Sequence, residues 1–315
     1  MLINKIAVVL MTLLIANTTF ADSYSKEEKN INFIVTPSIA YRYDVFKWAI
    51  PSKLFTDRKS SELIWKNYIV QPSIKIEIEP KSNHFTFLGQ TKYGYILKNQ
   101  SNSYDLDFLN NGTELLYSKT KSVVKGNIFD LSGAVGYSVN LFKNNLLTFY
   151  VGYDYSDYRN KDYGSRQLLN YKGIPFSSNE LVLKYYFKTQ APWISLSVKA
   201  FLNEKFTIIP TIKFYSFKHI GKGYWIHRPD LKQDPSLKNN VNGIGLGFNV
   251  DFAYKYSNNL DFILNLETKK FKMKKGQNQA FYSAIDVGGE RVVSGKLLHL
   301  THISSSISAG LKYKL

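Results

Sequence analysis

The chain has 315 residues, no cysteine, and 41 lysines and arginines against 24 acidic residues, giving a net charge of +17. The missing cysteines exclude a disulfide framework, and so basic a chain would suit nucleic acid only if it stayed inside the cell. Its first residues argue otherwise. Lys5 precedes an apolar run from Ile6 to Ala16, with Thr19 and Ala21 at the small-residue positions before Asp22. This is the pattern of a secretory signal peptide, expected over residues 1–21. The run of about eleven apolar residues falls short of the roughly 20 that a spanning helix needs. Residues 22–315 then form one exported domain, and nucleic acid drops out as a partner.

With 23 tyrosines and 21 phenylalanines, the exported part reads as strand from end to end. Apolar/polar alternation at period two picks out ten candidate strands. The first runs from Ile31 to Tyr43, with Ile39 and Tyr41 outward; the second ends on Ile74, Ile76 and Ile78 against Lys75, Glu77 and Glu79. The third sets Phe85, Phe87, Tyr93 and Tyr95 opposite Thr86, Gln90 and Lys92. The fourth alternates through Phe129, Leu131, Val135 and Tyr137, and the fifth through Leu147, Phe149, Val151 and Tyr153. The sixth spans about residues 180–202, the seventh carries Phe206, Ile208, Ile212 and Phe214, and the ninth carries Leu260, Phe262, Leu264 and Leu266. The eighth is the cleanest, with Ile244, Leu246, Phe248, Val250 and Phe252 alternating with Gly245, Gly247, Asn249 and Asp251. The tenth, Leu300 to Leu315, puts Ile303, Ile307, Ala309, Leu311 and Tyr313 on one face and serines and lysines on the other.

Strands with one lipid face and one wet face, even in number and following an export signal, predict an all-β fold: a ten-stranded antiparallel transmembrane β-barrel in an outer membrane. Short turns are expected at 79–84, 142–145, 202–205 and 257–259 on the periplasmic side, and long extracellular loops at 44–61, 97–123, 158–180, 218–243 and 270–299. The inward set Lys75, Glu77, Lys92, Asp130, Asp251, Lys255, Asp261 and Glu267 has mixed sign and can plug the lumen with ion pairs. A barrel of this size leaves little open lumen, which disfavours a channel and moves function to the loops. The basic exterior is expected to meet outer-membrane lipids, and above all the phosphates of lipopolysaccharide.

Two loop features carry chemistry. Asp105 and Asp107 sit two apart in Tyr104-Asp105-Leu106-Asp107-Phe108, so an extended backbone aims both carboxylates to one side. Two close carboxylates cannot both ionise easily, which makes one of them a general base for a water. The other feature is His227, in Tyr224-Trp225-Ile226-His227-Arg228-Pro229-Asp230.

With these residues in view, the chain resembles the omptins, the ten-stranded outer-membrane proteases of Gram-negative bacteria. Arg58-Lys59-x-Ser61-x-Leu63-x-Trp65-Lys66 is similar to the family's segment opening its second strand, and Tyr104 to Phe108 to its Asp-x-Asp-Trp motif with Phe108 for Trp. Pro192-Trp193-Ile194-x-Leu196 resembles a Pro-Tyr-Ile-x-Leu run; the eighth strand and Ala309-Gly310-Leu311-Lys312-Tyr313 are similar as well. The resemblance implies an endopeptidase without cofactor or metal, acting as a monomer on peptide at an extracellular cleft. Asp105 and Asp107 would hold a water against His227. It also exposes departures. Trp225 stands where the family has the acid that orients the histidine, and Gly223 where it has an acid for a basic substrate side chain. Asp230, three residues after His227, is an acid within sequence reach of it. A second reading follows from these losses: a degenerate omptin-like barrel that acts as an adhesin or binds ligands.

Overall fold

The computed structural model describes residues 31–52, 57–80, 84–110, 114–141, 145–170, 179–283 and 289–315. The predicted signal peptide therefore lies outside the described residues, as do the centres of the turns expected at 79–84 and 142–145. The described residues form twelve strand segments: β1 (Ile31–Pro51), β2 (Lys59–Pro80), β3 (Phe85–Ile96), β4 (Asn102–Asn110), β5 (Glu114–Asn140), β6 (Leu146–Asn170), β7 (Leu181–Phe201), β8 (Phe206–Trp225), β9 (Leu237–Lys255), β10 (Leu260–Tyr282), β11 (Arg291–Lys296) and β12 (His299–Lys314). Every pairing is antiparallel. β12 pairs with both β10 and β1, and β1 with β2, so the sheet closes on itself.

Two segments do not add to the ring. β3 pairs with β2 at residues 69–78, and β4 takes over against the same strand at residues 61–66, so β4 is the upper continuation of β3. β11 likewise continues β12 along β10. Ten strands therefore go round, as the alternation predicts. Where β3 ends, Ile96 lies opposite Gly126 of β5. Its φ of +154° suits glycine, and a Cβ there would meet the Arg159 carbonyl oxygen at 1.9 Å.

The lipid band is as expected. Phe149, Val151, Ile194, Phe214, Ile244, Leu246, Phe248, Phe262, Leu264 and Ile307 all project outward and are exposed. The expected loops differ from the structure, because most of their residues continue the strands. Above the membrane the alternation keeps its phase and inverts its sense. On β7, Ser195 and Ser197 face inward and Ile194 and Leu196 outward, whereas higher up Tyr185 and Phe187 face inward and Lys188 outward. β10 repeats this, with Leu264 and Leu266 outward below and Phe271 inward between Lys270 and Lys272 above. A search for apolar residues facing lipid therefore ends at the bilayer surface, while the strand runs on.

The interior is layered in consequence. At the top, Phe46, Trp65, Tyr158, Tyr185 and Phe187 are fully buried and in ring contact, with Phe46 and Phe187 stacked at 4.5 Å. Burying side chains of this size stabilises by roughly 1.5–3 kcal/mol each. Below them Arg42 pairs with Asp44 and Asp130, both at 2.8 Å, and Gln71 donates to Asp130 at 2.7 Å. Partners on this scale are what make a buried cation tolerable. Lower still, Lys75–Glu77, Lys92–Glu267 and Lys312–Glu77 ion pairs of 3.0 to 3.3 Å line a cavity of about 380 Å³ rich in serine and threonine. Lys255 departs from the expected inward set and is exposed at the strand end.

Candidate functional site

β4 carries the acid pair. Asp105 lies opposite Leu63 and Asp107 opposite Ser61 of β2, so both carboxylates take the inward side of the wall. A register shift against β5 follows immediately, between Asp107 and Phe108, and ends the alternation there. Ser61 Oγ donates to Asp105 Oδ1 at 3.4 Å. Burial, and then the negative charge of Asp107, push the Asp105 carboxyl up to about 7. Burial raises Asp107 as well, against hydrogen bonds from Ser61 and Ser118.

A third acid that the sequence did not disclose sits beside them. Asp162 on β6 is buried, accepts Trp65 Nε1 at 3.1 and 3.2 Å, and is bonded by Ser103, two residues before Asp105. Burial lifts it to about 7, and its charge helps to raise Asp105.

The segment that follows β8 carries His227 and Arg228. His227 is exposed, with Nε2 3.7 Å from Glu180 Oε2 on the neighbouring connection. An acid thus stands beside the histidine, although it comes from a distant part of the chain. Asp230 does not take that place. It clamps Arg228 through two bonds of 2.7 and 2.5 Å, and its backbone oxygen accepts Ser283 N–H at 2.9 Å. Arg228 is the cation whose charge lowers both Asp105 and Asp107. Trp225 lies over Gly223, where an added Cβ would meet its ring at 2.4 Å. Among the described residues no three histidine or carboxylate groups converge to hold a metal ion.

Residues 37–315 match the family model described as Protochlamydia outer membrane protein. The chain belongs to this family. Like its family's description, its structure belongs to the outer membrane. The outer membrane protease OmpT from Escherichia coli superimposes with a TM-score of 0.67 at 17% identity, over 92% of this chain and 99% of that one. The translocator domain of the autotransporter NalP from Neisseria meningitidis covers 99% of this chain and 98% of its own at 8% identity, with a TM-score of 0.40. No curated protein matches the sequence. This member of the Protochlamydia outer membrane protein family therefore shares the omptin fold and sits as a β-barrel in the outer membrane, among its lipids.

Proposed function

We propose that the protein is an omptin-like surface endopeptidase in which Asp105 and Asp107 hold and deprotonate the attacking water. The observation that supports this reading is a carboxyl on the inward side of the wall brought to about 7, which is the range a general base needs near neutral pH. Arg228, fixed by Asp230, stabilises the oxyanion that forms as water adds to the peptide carbonyl. His227, paired with Glu180, serves at the rim as the proton donor to the leaving amine. With Arg228 facing the acids and Gly223 in place of a carboxylate, substrates with basic residues at the scissile bond are disfavoured. The test is cleavage of a peptide library by detergent-folded protein. Cleavage should favour non-basic sites, rise as pH passes through about 7, and vanish in Asp105→Asn and Asp107→Asn. Cleavage that persists in both variants would remove the acid pair from the chemistry.

The exposure of His227 favours the second reading, a degenerate barrel whose cleft binds peptide without cutting it. Binding of the same peptides with no cleavage between about pH 5 and pH 9, the range that spans ordinary catalytic pKa values, would establish it. On the outer wall, Lys125, Arg159, Lys161, Lys188 and Lys222 line a shallow concavity of about 630 Å³ above the lipid band. Charge-assisted contacts there suit the phosphates of lipopolysaccharide. Arg159→Glu with Lys188→Glu should abolish any stabilisation of the fold by added lipopolysaccharide.

A further inference from the structure

We propose that the outer edge of β11 takes an extended, acidic peptide segment as an added strand, forming a binding surface separate from the acid cleft. β11 pairs with β10 on one side and has no strand partner on the other among the described residues. The direction of its backbone groups follows from its neighbours. Leu297 N–H donates to Gly276 O of β10, and Phe281 N–H on β10 donates away from β11, to Ser236 O. Along the register Gln277↔Lys296 to Tyr282↔Arg291, residues 291, 293 and 295 therefore bond to β10. The N–H and C=O groups of Val292, Ser294 and Lys296 point to the open edge.

β1 does not close that edge. Its ladder with β12 runs as far as Ala49, whose carbonyl accepts Leu298 N–H at 2.9 Å. Two residues later Pro51 has no N–H to offer, and Ser52 turns back to bond Arg58 O at 2.8 Å. Among the described residues the ring thus opens at its extracellular rim, between the tip of β1 and β11. All six residues of β11 are exposed.

Unpaired main-chain groups in a row are a template for β-augmentation, in which the ladder supplies affinity and flanking side chains supply selectivity. The selectivity here is for negative charge. Arg291 and Lys296 mark the two ends of β11, and Lys274 and Lys275 are exposed on β10 beside Lys296. Val292 and Val293, both exposed, offer apolar contact on the two faces between them.

The test uses full-length protein folded in detergent and a short, fluorescent, capped peptide of mixed glutamate and valine, followed by anisotropy. The peptide should bind, and a lysine/valine counterpart should bind at least about tenfold more weakly. Methylating alternate backbone nitrogens of the peptide should also lower affinity about tenfold, the scale of one or two lost hydrogen bonds. Ser294→Pro removes an edge-facing donor without breaking the ladder to β10, so it should weaken binding to a similar degree while heat resistance on gels is unchanged. Ser294→Ala should bind normally. Equal binding of the methylated peptide, or unaltered binding by Ser294→Pro, would overturn the proposal. So would a dimer that forms without peptide and is dissolved by Ser294→Pro, since the edge would then belong to a second copy. Cleavage plays no part in these readouts, so failure of the peptidase reading leaves them intact.

Discussion

Asp162 shows how one buried side chain can tie cleft chemistry to stability. Folded, it keeps its proton up to about 7; unfolded, it loses it near 3.8. Between these values the folded state holds the extra proton, so stability is full below the lower value and is lost as pH rises through the upper one. The loss is on the order of 4 kcal/mol, at 1.36 kcal/mol per pKa unit. Asp105 contributes with the same sign. Asp162→Asn keeps an acceptor for Trp65 and should therefore roughly halve the fall in urea resistance between pH 4 and 8; an unchanged pH profile would refute this account. The neighbouring substitution Gly223→Asp should destabilise by itself, because its Cβ meets the Trp225 ring, whereas Trp225→Asp with Gly223→Asp should fold and shift cleavage towards basic peptides. Equal stability of the single and double variants would contradict the packing. The acid pair was legible in the sequence because spacing alone fixes a shared face on a strand. Asp162, Arg228 and Glu180 were not, because their relevance depends on long-range closure, such as the sequence separation of 97 between Trp65 and Asp162.

Strands test the facing assignment most directly. Phe248 projects to lipid at 50% exposure, whereas Asn249 lines the interior cavity. Phe248→Arg should cost about 2–4 kcal/mol at mid-bilayer and impair assembly, while Asn249→Arg should be milder. Equal heat-modifiability of the two variants on gels would reverse the assignment. The lower halves of the strands were readable because lipid demands apolar residues at every second position. Their upper halves were read as loops because water accepts lysine there and the aromatic residues have moved to the inside, as at Tyr185 and Phe187.

Across the whole molecule, a fully buried aromatic layer lies above the Arg42 ion pairs, and the polar cavity lies below them. Planar bilayers containing the purified protein should therefore record no large steady conductance. Porin-sized currents would mean that the layer opens. The same stacking bears on how the barrel finds its register. A strand misplaced by one residue turns both of its halves over at once. On β10, Asn265 and Glu267 would be driven into hydrocarbon at the moment Phe271 was put into water. Strands such as β7 and β10 are thus proofread twice, by lipid below and by the aromatic layer above, and a slip that one environment alone would tolerate is rejected by the pair.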